Sequence, residues 1–311
     1  FRSSLSTQGR PLETRPISLA DFIARRLKGS AQVTQQIVYE SHSHTPLCMH
    51  ADGMPTEYAA VAFNRGLRGL IVTCHNPMPN GFSAPVRMRE DQFDEYIELV
   101  ESTRQEWDGR LDVRLGLEAD YFEGYEQYVE NQLQSADFHF VLGSVHPQIE
   151  EFRQKFWNAD GREVQRTYFR MLAQSAETGL FDSISHPDLI KNFTSEQWDP
   201  QEIMPTICDT LDRIAATGVA MELNTSGVLK KISEMNPFPD MLREMQQRNI
   251  PITLGSDAHT PHRVADGYEQ AMKLLQQCGY ETINYFLNRK RQEIAIQPAL
   301  ASLVSQVADD A

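Results

Sequence analysis

The sequence predicts an α/β fold, a TIM-like barrel of seven strand–helix units with a metal site at the C-terminal ends of its strands. Three observations predict it. From Val38 onward a strand-then-helix rhythm repeats seven times. Eight side chains able to bind metal fall where a strand candidate runs out: His42, His44, His75, Glu118, His146, His186, Asp257 and His259. A ninth, His50, lies in the loop past the first strand, and seven of the chain's nine histidines belong to this set. Alternating units argue for parallel strands with right-handed crossovers. An open doubly wound sheet shares that local pattern, but only a closed barrel gathers so many strand ends around one centre, where barrel enzymes keep their reactive groups.

In chain order, residues 1–35 are polar, with one periodic piece near 18–27, and read as an N-terminal extension to a barrel domain at 36–311. The strand candidates are Val38–His44, Leu67–His75, Val113–Tyr121, Phe138–His146, Phe181–Leu189, Val219–Ser226 and Ile252–Asp257. They are short, apolar and β-branched, as strands buried on both faces tend to be. Amphipathic helices are expected near 56–65, 89–107, 124–134, 162–178, 200–217, 239–248 and 265–278. Between 91 and 107, Phe93, Ile97 and Val100 recur at helical spacing among acids and amides. Gly66, Gly179, Gly218 and Gly279 stand just past periodic runs and read as helix stops.

Bulk properties narrow the partners. With 311 residues, 41% of them hydrophobic, the chain can bury a large core. A formal net charge of −14 with no Lys/Arg-rich run argues against extended nucleic acid. A small anionic substrate fits, because bound metal would supply local positive charge. No apolar run reaches the ~20 residues of a membrane span. The first thirty residues lack the continuous apolar core of a secretory signal. Cys48, Cys74, Cys208 and Cys278 show no framework spacing, which reads as reduced thiols in the cytoplasm.

Each ligand candidate has a bland alternative. His42 and His44, one residue apart on a strand, point to the same face and suit one ion, although an isolated HxH is as often a structural pair. His50 alone would read as a surface histidine. Asp257 and His259 repeat the i, i+2 spacing at another strand end. Glu118 sits in an otherwise apolar strand, where a carboxylate is costly unless paired or metal-bound. His146 and His186 each precede proline, which favours extended backbone. Coincidence would have to explain all of these together. His139 and His262 fall outside the set and read as structural and surface residues. Cys74 should face away from His75, so Cys48 and Cys74 are left out of the ligand set.

The motifs HSH, CH, GLE, GSVH, SHPDL and GSDAH resemble, in order and spacing, those of the polymerase and histidinol phosphatase (PHP) superfamily over residues 36–290. The resemblance implies a distorted barrel of seven βα units holding three divalent ions. His42, His44, Glu118 and Asp257 would bind the first ion. Glu118 would bridge to a second on His146 and His186, and His50, His75 and His259 would hold a third. HTPLCMHADG, NPMPNGFSAPVRMR, SHPDLIKNF and ELNTSGVLKK are similar to the histidinol-phosphate phosphatase branch, which grips phosphate with basic residues after the HxDL and NTSG motifs. Lys191 and Lys230 occupy the matching positions. Lysine offers a point charge rather than the arginine fork. Cys74 stands where the superfamily usually has Asp.

The expected reaction is hydrolysis of a phosphomonoester, L-histidinol phosphate, by a metal-bridging hydroxide at Glu118, with Asp257 and His259 as further catalytic groups. His259, Asp52 and a metal-bound water are candidate proton donors to the leaving oxygen. The Pro-rich loop 76–89 would cover the site and bring Arg87 or Arg89 to the substrate. Imidazole and carboxylate suit Zn, Mn and Fe alike. Two alternatives stand beside this reading: a PHP phosphoesterase acting on nucleotides or oligonucleotide ends, and a non-catalytic metal-binding barrel.

Overall fold

Seven strands follow one another through the sheet: β1 (Tyr39–Glu40), β2 (Gly69–Val72), β3 (Asp112–Asp120), β4 (Phe140–Ser144), β5 (Ser183–Ile184), β6 (Ala220–Asn224) and β7 (Ile252–Gly255). Each pairs in parallel with the next. The structure, a computed structural model, describes residues 36–157 and 160–303. The extension at 1–35 and its expected short helix lie outside the described residues. Beyond the ends of β1 and β7, Ser43 and Ala258 form a parallel bridge. His44 N donates to the Ala258 carbonyl at 2.9 Å, and Ala258 N donates to the His42 carbonyl at 3.1 Å. That bridge joins the first strand to the seventh at the carboxyl end, as a TIM-like barrel requires.

The helices lie between the strands: α1 (Pro55–Asn64), α2 (Phe93–Glu106), α3 (Glu126–Leu133), α4 (Glu150–Phe156), α5 (Gly161–Glu177), α6 (Pro200–Thr217), α7 (Pro239–Gln247), α8 (Tyr268–Gln277) and α9 (Ile296–Ser302). Local chemistry explains their limits. Asp160 accepts from the amides of Arg162 and Glu163 and so caps α5, a contribution of about 1 kcal/mol. Val164, Tyr168 and Leu172 then recur at i, i+4, i+8 and are buried against the sheet and neighbouring helices. At its far end Gly179 takes φ +71°, and Gly66, Gly218 and Gly279 do likewise at φ +75° to +94°.

Two apolar layers hold the barrel. One lies between the strands and the helices; the other fills the lower barrel interior with Tyr39, Ile71, Phe140, Leu142, Ala220 and Phe286. Phe286 comes from a hairpin that the seven-unit reading left out. β8 (Thr282–Leu287) pairs with β7 through Thr253 and Asn284, and turns back into antiparallel β9 (Lys290–Ala295). Asn288 and Arg289 make the turn, both with positive φ, as a two-residue hairpin demands. Tyr285 stacks on Tyr39 at 4.5 Å and Phe286 on Phe140 at 5.3 Å. These rings cover the end of the barrel opposite the histidines.

Two expected strands prove much shorter. The first keeps only Tyr39–Glu40, and beyond it Ser43 makes only an isolated bridge to Ala258. The fifth, expected over Phe181–Leu189, keeps only Ser183–Ile184. His186 is not extended as its following proline suggested, but adopts φ +25°, and residues 189–192 form a 3-10 turn. Tertiary contacts at the histidine layer outweigh the local preference before proline. α4 and α9 were also not expected from the periodicity.

Candidate metal centre

Strand alternation builds the site. Every second residue faces the barrel interior, so β2 leads inward from Ile71 through Thr73 to His75. β3 leads from Gly116 through Glu118 to Asp120, β4 from Leu142 through Ser144 to His146, and β6 from Ala220 through Glu222 to Asn224. The lower positions are apolar and the upper ones polar. Gly255 on β7 is part of this design, because a Cβ there would collide with the Glu222 carboxylate and with His42 Cβ.

Glu118 is the hub. Its Oε2 lies 3.3 Å from His42 Nε2, 3.5 Å from His44 Nε2 and 2.8 Å from His75 Nδ1. Its Oε1 lies 3.5 Å from His146 Nε2 and 3.1 Å from His186 Nε2. Asp257 Oδ1 completes the first group, 3.6 Å from His42 Nε2 and 3.1 Å from His44 Nε2. On the outer side, His50 Nε2 and His259 Nε2 stand 2.9 Å apart, and the His44 and His259 rings stack at 4.0 Å. The structure therefore brings all nine expected ligands into one neighbourhood.

The residues fit divalent ions on two counts. Two ligands about 2.1 Å from a tetrahedral ion lie about 3.4 Å apart, close to these separations. The second count is protonation. His42 Nδ1 is 2.7 Å from Glu222 Oε1, and His146 Nδ1 is 2.7 Å from Asp120 Oδ1. His50 Nδ1 faces the Cys48 carbonyl at 2.7 Å and His259 Nδ1 the Asp257 carbonyl at 3.0 Å. An imidazole that donates through Nδ1 keeps a lone pair on Nε2. The lone pairs of His50 and His259 then face each other, and that of His42 faces a carboxylate oxygen. His42 Nε2, His75 Nδ1 and Glu118 Oε2 are buried without any hydrogen-bond partner. Such a convergence of acceptors calls for cations.

Electrostatics agree. Burial opposes charge on Glu118, but His75, His42 and His146 outweigh it and hold the carboxyl well below its usual range. Asp257 is likewise held low, its burial overcome by His42, His44, His259 and Lys230. Burial and the neighbouring His44 push His259 down to about 2, and burial chiefly pushes His75 down to about 4. Both rings are thus neutral near pH 7, the state of a metal ligand, and His259 has no surplus proton for a leaving oxygen.

The basic residues part company. Lys230 Nζ lies 3.9 Å from Asp257 Oδ2 and faces the centre. Lys191, expected as a second phosphate grip, is fully buried. Its ammonium is occupied by Asp188 Oδ2 at 2.8 Å, Glu234 Oε1 at 3.1 Å and the Met235 carbonyl at 3.0 Å. Asp188 is the reason: a buried carboxylate needs a counter-charge. Arg87, expected at the substrate, is also buried and binds Asp120 Oδ2 at 2.6 Å and the Asn76 carbonyl at 2.8 Å. It steadies the carboxylate that orients His146. Arg89 is exposed and pairs with Asp91. The 76–89 loop is fastened to its surroundings, with Ser83 N donating to Glu151 Oε1 at 2.8 Å and Phe82 packed on Phe122 and Tyr125. His139 receives the Asn288 amide at the hairpin, far from the centre in the sheet, and His262 is exposed.

Sequence reasoning passed over Glu222 and Asp120. The sixth strand ends without a metal ligand, yet its Glu222 orients His42 and also receives the His186 amide at 2.9 Å and Asn224 Nδ2 at 3.0 Å. The signal was available, since Glu222 in AMELN is a carboxylate in an apolar strand, the argument already made for Glu118.

The PHP domain family profile matches residues 40–226. A probable histidinol-phosphatase of Deinococcus radiodurans is 42% identical over 259 residues, covering 81% of this chain and 98% of that protein. The histidinol-phosphatase of Bacillus subtilis is 25% identical over 269 residues, covering 77% and 98%. Among solved structures, histidinol phosphate phosphatase from Lactococcus lactis, complexed with Zn, L-histidinol and phosphate, superposes with a TM-score of 0.70 at 20% identity, covering 83% of this chain and 99% of that one. With its ligand layer, its barrel and these relatives in agreement, the chain belongs to the PHP family, in the branch of the histidinol-phosphatases.

Proposed function

We propose that the chain is a metal-dependent phosphomonoesterase that hydrolyses L-histidinol phosphate to L-histidinol and phosphate. The observation that carries the chemistry is Glu118, whose two oxygens face two separate groups of imidazoles. The 42% identity to a probable histidinol-phosphatase supports the substrate.

The donor set supports three divalent ions of Zn, Mn or Fe type: one on His42, His44, Glu118 and Asp257, one on Glu118, His146 and His186, and one on His50, His75 and His259. Bound there, they would supply Lewis acidity for the phosphate oxygens and acidify water towards neutral pH. The protein's own groups orient and charge the site. Ser144 Oγ donates to Glu118 Oε1 at 2.6 Å, and Ser226 Oγ to Asp257 Oδ2 at 3.0 Å. Glu222 and Asp120 fix two ring orientations. Lys230 places a positive charge at the rim, where a phosphate would enter. Among the described residues no helix is long and apolar enough to cross a membrane, and four free thiols support a cytoplasmic setting.

The test is phosphate release from L-histidinol phosphate by protein reconstituted with Zn or Mn, beside AMP and a generic aryl phosphate. Strong preference for histidinol phosphate is expected. Equal or greater turnover of the other esters would assign a different phosphoesterase role.

A further inference from the structure

Two cysteines that the centre does not use sit directly behind it. Cys48 lies in the loop after β1 and Cys74 lies just past β2, immediately before His75. Their sulfurs and a ring nitrogen of His44 all lie within 4.8 Å of one another, and all three residues are fully buried. We propose that Cys48, Cys74 and His44 form a separate sulfur–imidazole site for a soft divalent ion of the zinc class.

Independent features support it. His44 directs Nε2 to Asp257 Oδ1 at 3.1 Å, whereas its Nδ1 is buried without a hydrogen-bond partner. No carbonyl or carboxylate lies behind His44 as one does behind His42, His146, His50 and His259; its company there is sulfur, the Cys74 thiol foremost. Sulfur is a weak hydrogen-bond partner for a buried ring nitrogen, and coordination would satisfy it better. Thr45 Oγ1 donates to Cys74 Sγ at 3.2 Å, the kind of outer hydrogen bond that a metal-bound thiolate takes. Cys48 Sγ also lies within the same reach of His50 and His259, so an ion held there would brace the loop that carries His50.

The ligand chemistry sets the preference. Thiolate favours Zn(II) and its soft relatives over Mn(II) or Mg(II), which take oxygen. Binding is a simple exchange: each thiol gives its proton to solvent, each sulfur lends an electron pair to the ion, and His44, whose Nε2 is turned to the first ion, also gives up its remaining ring proton so that Nδ1 binds as one end of a bridging imidazolate; nothing is oxidised or reduced. The inference goes beyond the phosphatase reading; it shares His44 with the first ion proposed there, but sulfur coordination is a signature that the Glu118 centre cannot produce.

The test uses the full chain, stripped of metal and titrated with Co(II). Wild type should develop near-ultraviolet sulfur-to-cobalt absorption, as should Cys208→Ser, a thiol elsewhere on the surface. Cys48→Ser and Cys74→Ser should each lose the band and bind one fewer ion per chain. Phosphate release measured in parallel reports on the Glu118 centre separately. Should the serine variants fail to fold, X-ray absorption of the zinc-loaded wild type decides, with sulfur scattering expected at about 2.3 Å. Purely nitrogen and oxygen coordination in a metal-loaded protein, a band that survives both substitutions, or a mass two hydrogens light from a Cys48–Cys74 disulfide would each overturn the proposal.

Discussion

Glu222 Oε1 stands 2.7 Å from His42 Nδ1, and this contact turns His42 Nε2 towards Glu118. The carboxylate touches none of the converging ligand atoms of Glu118 or His75, yet it selects which nitrogen of His42 is free to bind. Orienting partners of this kind typically contribute 10- to 100-fold in metal affinity. Glu222→Gln should therefore weaken binding of the first ion by about 10- to 100-fold while the protein stays folded, as read by chelator competition beside circular dichroism. Unchanged affinity would show that His42 needs no such partner.

Gly255 makes room for that pair. A methyl group added there meets the Glu222 carboxylate, which is held by His42, the His186 amide and Asn224, and His42 Cβ. Overpacking of this kind costs about 1–3 kcal/mol. Gly255→Ala should lower the melting temperature and, more tellingly, reduce metal content in the fraction that remains folded. A variant with full metal content would mean that the interior yields more than its packing suggests.

Glu118→Gln tests the hub itself. An amide presents one acceptor and one donor where two acceptors now face five imidazoles. Metal and phosphatase activity should disappear together. A metal-replete, active Glu118→Gln protein would dismantle the proposed mechanism.

Lys191 and Lys230 should separate cleanly. Lys191→Met leaves Asp188 buried without its cation, a loss of about 3–5 kcal/mol, and should appear first as thermal instability. Lys230→Ala should leave the melting temperature nearly unchanged and raise KM for histidinol phosphate. Steady-state kinetics beside a melting curve distinguishes the two; the reverse pattern would return Lys191 to the phosphate.

Metal binding should depend on pH well above the normal range of histidine. Burial opposes charge on His44, but Asp257 and its other neighbours raise it to about 9 in the metal-free protein. Below that pH the ring holds a proton that an ion must displace, so affinity should rise with pH up to about 9 and then level off. A plateau already reached near pH 7 would show that His44 is not protonated there.

Strand alternation and helix punctuation made much of the architecture legible. The HxH at 42 and 44, the lone carboxylate at Glu118 and the four helix-stop glycines are local signals, and local chemistry determines them. The β8–β9 hairpin was missed because its Asn-Arg turn lacks the usual glycine, although TINYFL and KRQEIA alternate on either side. The same period-2 logic would have found Asp120, two residues after Glu118.

By itself the sequence determined the order of the strand–helix units, the family and the nine candidate ligand positions that the fold brings together. Only the tertiary structure decided which basic residues face the centre, which nitrogen each histidine frees, and where Cys48 and Cys74 meet. The reason is physical: a ligand's type and its face of a strand are set within a few residues of chain. The partner of a buried charge comes instead from wherever closure of the barrel brings an opposite charge. Asp188 takes Lys191 and Asp120 takes Arg87, and those demands remove both from the substrate side.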